Sequence, residues 1–289
     1  MKFGVTTYLW SGDFAPATLE ILPSIKDAGF DGVELPIFRP RAFEAAAIRR
    51  GLEAAGLACT VSCVLIDGYS LVSEDADVRR RTVAHLADVA RVAADVGADL
   101  VAGPLYSPVG HRPGRRTAAE WRAVVEAYRE LGPSLDANGV TIAIEPLNRF
   151  ETHFLNTAAD AARLCDEIAH PNVGVLFDTF HANIEEKDIA AACRSVARHL
   201  KHVHLSENDR GTPGTGHIPW ADVFAALRDT GYDGWANIES FSFAIADISA
   251  ATSIWRDLAP TPESIAFDGI RFLKETARNG VPDAGVHQP

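Results

Sequence analysis

The chain has 289 residues, 47% of them hydrophobic, 23% charged and 8% aromatic, which is the composition of an ordinary globular protein. Lys and Arg number 27 against 39 Asp and Glu, a formal charge of −12, the wrong sign for a surface that must hold phosphate backbones or an anionic membrane. No apolar run approaches a membrane span, and the start MKFGVTTYLW lacks a basic n-region and a small-residue cleavage site. A cytoplasmic chain with no nucleic-acid and no membrane partner is therefore expected.

In chain order, short β-branched or apolar runs occur at FGVTT (3–7), GVELP (32–36), ACTVSCVL (58–65), DLVAGPL (99–105), VTIAIEP (140–146), VGVLFD (173–178), HVHLS (202–206) and WANIES (235–240). Longer stretches with helical periodicity lie between them. Over 75–96, Val78, Thr82, Leu86, Val89, Ala93 and Val96 recur at three- and four-residue steps. A second such stretch, 117–137, opens with Thr117 and Glu120 in capping-box spacing, and the last is opened by Thr261 followed by Pro262. His85 falls within a helical pattern, where a surface or capping role is the default. Cys59, Cys63, Cys165 and Cys193 form no C-x-x-C pair and read as buried thiols.

Eight βα units, with strands apolar on both faces, predict an α/β fold: one (β/α)8 TIM barrel spanning 1–289, its active site at the C-terminal ends of the strands. A doubly wound sheet would offer a Gly-rich phosphate loop after its first strand, and YLWSGD is not one. The end GVPDAGVHQP (280–289) is expected to be a mobile tail.

Four consecutive strands end in ionisable groups: Glu145, Asp178, His204 and Glu239. Three acids and an imidazole converging on one mouth need a compensating positive charge, because a buried carboxylate is costly unless paired or bound to a cation. A mostly hard oxygen set with one imidazole nitrogen suits Mn²⁺, Mg²⁺ or Co²⁺ better than a structural zinc. On strand seven His204 lies nearer the mouth, leaving His202 one layer deeper as a hydrogen-bonded core residue. The loops that follow these strands add Glu151, His181 and Arg210, groups suited to sugar hydroxyls and developing oxyanions.

The stretches IEPLNRFETHFLN, FDTFHANIEE, HVHLSENDRGTPGTGHIPW and NIESF closely resemble the ketose 3-epimerases, the group of D-tagatose, D-psicose (allulose) and L-ribulose 3-epimerases within the sugar phosphate isomerase/epimerase TIM barrels. The resemblance covers the second half of the chain in detail and the first half, through AGFDGVELP and 75–96, more loosely. It implies an isomerase that inverts C3 of free ketoses through a cis-enediolate, with one divalent ion, typically Mn²⁺, in a homodimer or homotetramer. By the same resemblance Glu145, Asp178, His204 and Glu239 hold the metal, Glu145 and Glu239 are the acid/base pair, and Glu151, His181 and Arg210 contact substrate. The first strand departs from the family: Thr6 and Thr7 stand where aromatic residues are typical, and Trp10, Leu105, Tyr106 and Phe241 are the candidates for the pocket wall. An aldose–ketose isomerase of the hydroxypyruvate or rhamnose type would use the same metal and carboxylates between C1 and C2. A related abasic-site nuclease would need more His ligands and a basic face, against the charge of −12.

Overall fold

Every apolar run read as a strand is one. In the computed structural model, which describes residues 1–279, the strands are Lys2–Thr6 (β1), Gly32–Pro36 (β2), Ala58–Ser62 (β3), Leu100–Gly103 (β4), Thr141–Ile144 (β5), Val173–Asp178 (β6), Leu200–His204 (β7) and Trp235–Ile238 (β8). They are parallel and close in sequence order, β1 pairing with both β2 and β8, and helices cover the outside. This is the (β/α)8 barrel. The stretch 280–289, expected to be a mobile tail, lies outside the described residues. Among the described residues no helix is long and apolar enough to cross a membrane.

Helix boundaries follow the caps visible in the sequence. The stretch 75–96 forms the helix Ala76–Val96, with the Asp75 carboxylate accepting from the Asp77 N–H at 2.7 Å. Ala118–Asn138 is closed by a reciprocal capping box: the Thr117 hydroxyl accepts from the Glu120 N–H at 3.2 Å, and the Glu120 carboxylate accepts from the Thr117 N–H at 2.6 Å. Pro262 opens the last helix, Pro262–Asn279. His85 corrects its reading as a surface or capping residue, since it is buried and stacked on Tyr69 with ring centroids 4.2 Å apart. At 3.6 residues per turn it shares the inward face with Thr82 and Leu86, and position on that face decides burial.

Several strands stop short of the apolar runs that encode them. The run 99–105 leaves the sheet at Gly103, and 140–146 at Ile144. In each a proline follows closely, Pro104 or Pro146, and has no N–H to continue the ladder. The residues beyond curl over the mouth, which is why Glu145 and Glu239 sit just past their strands while Asp178 and His204 are the last residues of theirs.

The barrel interior is more polar beneath this mouth than a layered aliphatic filling would be. Glu34 of β2, Thr60 of β3, His202 of β7 and Asn237 of β8 are each fully buried and touch one another across the lumen. At the top of β4, Gly103 has φ +136°, and a Cβ there would lie 2.2 Å from the Cys63 carbonyl oxygen. Its own carbonyl accepts the Glu145 N–H at 3.1 Å. Gly103→Ala is expected to cost about 1–3 kcal/mol and to lower Tm by several degrees in a circular-dichroism melt; an unchanged Tm would show that this close approach imposes no constraint.

Candidate metal and active site

Adjacent strands bring Glu145, Asp178, His204 and Glu239 together, each offering a ligand atom within 4.8 Å of the others, and all four are buried. The Nδ1 of His204 lies 3.3 Å from Glu239 Oε2 and 3.8 Å from Glu145 Oε1. Asp178 divides its oxygens: Oδ1 accepts the Phe180 N–H at 2.7 Å as the cap of the helix Thr179–Glu185, leaving Oδ2 for the shared space.

Crowding pushes the two glutamates apart. Burial, reinforced by the Glu239 and Asp178 charges, raises the Glu145 carboxyl well above the ordinary range. For Glu239 burial also raises it, but His204 and Arg210 outweigh burial and hold it below that range. The two carboxyls thus have opposite protonation preferences within one site.

Two buried polar atoms of the cluster, Glu145 Oε1 and His204 Nδ1, have no hydrogen-bond partner among the described residues, although both face the space the four side chains share. Three carboxylates and one imidazole, two of them with a buried atom that meets no hydrogen-bond partner, fit a hard divalent cation. The trio Glu34, His202 and His204 also falls within 4.8 Å, but its facing atoms are already joined: His202 Nε2 reaches Glu34 Oε2 at 2.7 Å and His204 Nε2 reaches Oε1 at 2.8 Å. That trio is a hydrogen-bonded support under the cluster, with His202 one layer down.

The loop residues converge on the same place. His181 is buried, and its Nδ1 accepts the Asn148 backbone N–H at 3.1 Å, so the ring proton is on Nε2, 3.6 Å from Glu145 Oε1 and 3.7 Å from Asp178 Oδ2. Burial lowers its imidazole to about 4, keeping it a neutral donor near pH 7. Arg210 donates through one nitrogen to Asp178 Oδ2 at 2.8 Å, Glu239 Oε2 at 2.7 Å and the Ser206 hydroxyl at 2.6 Å, with its guanidinium 4.0 Å from the Phe180 ring centre. Its backbone is left-handed, φ 65°, and is held by its N–H to the Glu207 carbonyl and by the Ser240 hydroxyl at its own carbonyl. Glu151 is half-buried and accepts from the Asn148 side-chain amide at 2.7 Å.

Sequence reading missed Glu34, Asn148 and Glu207. Glu207 is fully buried and accepts N–H groups from Asn208, Gly214, Ile218 and the Trp220 indole, which ties down the loop bearing Arg210. For Glu34 a signal existed, a lone acid inside the apolar run GVELP. Asn148 works partly through its backbone, which no side-chain pattern announces.

Of the four pocket-wall candidates, two are corrected. Leu105 and Tyr106 have no accessible surface; the Tyr106 hydroxyl donates to the Glu145 carbonyl at 3.0 Å and the Leu105 carbonyl accepts from Tyr128, so both brace the turn after β4 from behind. Trp10 turns its indole N–H to Glu263 and its ring to Phe267. Phe241 does stand beside the cluster, 5.3 Å from the Arg210 guanidinium and 5.2 Å from Tyr8, which in turn stacks on Phe38. Tyr8, buried like Thr6 and Thr7, places an aromatic ring beside Phe241.

Comparisons with known proteins place the chain in a family. Residues 22–276 match the family model described as xylose isomerase-like TIM barrel. A probable ketose 3-epimerase of Synechocystis sp. is 34% identical over 96% of both chains. An L-ribulose 3-epimerase of Mesorhizobium japonicum is 33% identical over 96% of this chain and 95% of its own. Among solved structures, a D-allulose 3-epimerase of Methylomonas sp. in complex with D-allulose superposes with a TM-score of 0.90 at 28% identity, covering 95% of this chain and 96% of that one.

The donor set predicts that Mn²⁺ binds the folded chain. At a free concentration one hundred times its dissociation constant it should stabilise the fold by about 2.7 kcal/mol, read as a rise in Tm that His204→Ala abolishes. No rise in the chelator-treated wild type would overturn the metal assignment.

Proposed function

The chain belongs to the ketose 3-epimerases of the xylose isomerase-like TIM-barrel family, and from that premise we propose that it inverts C3 of unphosphorylated ketoses such as D-psicose, D-fructose, D-tagatose and L-ribulose. The observation that carries the reading is that Glu145 and Glu239, from the ends of β5 and β8, enter one buried space together with Asp178 and His204. Glu145, Asp178, His204 and Glu239 would hold a divalent ion, Mn²⁺ first and Co²⁺ or Mg²⁺ as substitutes, and it would supply Lewis-acid stabilisation of the negative charge that develops on the sugar.

The C3 proton of a ketose is weakly acidic, so a positioned base and a stabilised enediolate are both needed. Glu145 and Glu239 flank the flat enediolate: one takes the proton from one face and the other returns a proton to the opposite face, which inverts the centre. Their roles exchange in the reverse direction, and that is why inversion needs a pair rather than a single base. The His181 Nε2–H and the Arg210 guanidinium are the donors next to the pair, and they hold the O1 and O2 end of the sugar and offset the charge that develops there. Asn148 fixes the His181 tautomer and orients Glu151 toward the substrate. Phe241, Tyr8 and Phe38 form the apolar wall for the remaining carbons. Arg210 is already paired with two carboxylates, which leaves it poorly suited to a phosphate and favours free sugars.

Turnover in D₂O should place deuterium at C3 of the product; label confined to C1 or C2 would move the assignment to an aldose–ketose isomerase. At saturating Mn²⁺, Glu145→Gln and Glu239→Gln should each lower kcat at least about 100-fold while leaving sugar binding within a few-fold of wild type. Near-normal turnover in either variant would reject the two-carboxylate reaction.

A further inference from the structure

We propose that Glu34 is a positioning residue that selects the His204 tautomer able to bind a cation, and so sets the metal affinity of the site from one layer below it. The inference rests on the metal reading above and concerns a residue outside the four candidate ligands.

The Glu34 carboxylate is fully buried. Its Oε1 faces a single group, His204 Nε2 at 2.8 Å. Its Oε2 faces three, His202 Nε2 at 2.7 Å, the Thr60 hydroxyl at 2.8 Å and the Asn237 amide nitrogen at 2.9 Å. An ionised carboxylate only accepts hydrogen bonds, so each imidazole nitrogen that meets it must bear a proton. The Thr60 hydroxyl and the Asn237 amide donate to the same carboxyl group, which marks it as an acceptor. With the proton of the neutral ring on Nε2, the Nδ1 lone pair of His204 is left bare, and Nδ1 is the unpartnered buried atom that faces Glu145 and Glu239. Anion, imidazole and cation site therefore lie in series, the arrangement that fixes ring orientation and strengthens a histidine ligand.

The uneven loading of the two oxygens makes the consequence of Glu34→Gln specific. Three donors hold the carbonyl oxygen of the new amide on the Oε2 side, so its NH₂ group falls on His204 Nε2. Two donors cannot share that contact. The ring proton then belongs on Nδ1, where it occupies the lone pair meant for the cation and donates instead to Glu239, 3.3 Å away. Thr60→Val is the matched control: it deletes one donor to the same carboxylate and leaves the acceptor facing His204 unchanged.

The test is Mn²⁺ affinity by competition with a fluorescent chelator, for wild type, Glu34→Gln and Thr60→Val. Glu34→Gln should bind Mn²⁺ about 10- to 100-fold more weakly, and Thr60→Val within about threefold of wild type. Equal affinities for wild type and Glu34→Gln, or equal losses in both variants, would overturn the proposal. Wild type that binds no Mn²⁺ would sink the metal reading and this proposal with it, an outcome distinct from either. Should Glu34→Gln fail to fold, ¹⁵N-edited imidazole spectra of metal-free wild type decide the question: His204 with a proton on Nε2 and none on Nδ1 supports the assignment, and a proton on Nδ1 overturns it.

Discussion

Three carboxylates buried in one space are the constraint around which the rest of this molecule is arranged. Glu145, Asp178 and Glu239 would repel one another strongly in a medium that screens little, and a protein tolerates that only by supplying positive charge or protons nearby. Here Arg210 bridges Asp178 and Glu239, and His204 stands 3.3 Å from Glu239 and 3.8 Å from Glu145. Two buried atoms, Glu145 Oε1 and His204 Nδ1, still have no hydrogen-bond partner among the described residues. The fold thus concentrates electron donors at the barrel mouth and stops short of satisfying them, which is the electrostatic description of a cation site.

Support for that mouth comes in tiers. Below it, Glu34 joins β2, β3, β7 and β8 through Thr60, His202, His204 and Asn237, so the polar floor is hydrogen-bonded across the barrel. Around it, Asp178 caps the helix that carries His181, and Asn148 fixes the tautomer of that histidine. Above it, Glu207 gathers the loop that holds Arg210 in a left-handed conformation a non-glycine residue would otherwise avoid. Each tier acts on the orientation of a side chain at the centre.

Local chemistry made much of this legible in advance. The capping box at Thr117 and Glu120 and the Pro262 start are short-range events, and the helices begin where those residues say. The strand-end acids were visible because a charged residue closing an apolar run stands out. His85 was misread because its helix is covered on a broader face than the aliphatic positions alone suggest, and Leu105 and Tyr106 because the turn after Gly103 rotates both residues behind the sheet.

The sequence by itself determined the order and number of elements, the (β/α)8 architecture, and the convergence of Glu145, Asp178, His204 and Glu239, because periodicity, caps and strand ends are local properties and parallel connectivity then puts consecutive strand ends side by side. Only the tertiary structure decided what lies under and around those four. Glu34 is 168 residues from His202 and 170 from His204, and only closure of the ring puts β2 across the lumen from β7. Which imidazole nitrogen is free for a cation depends on that contact across the barrel, and no local pattern encodes it.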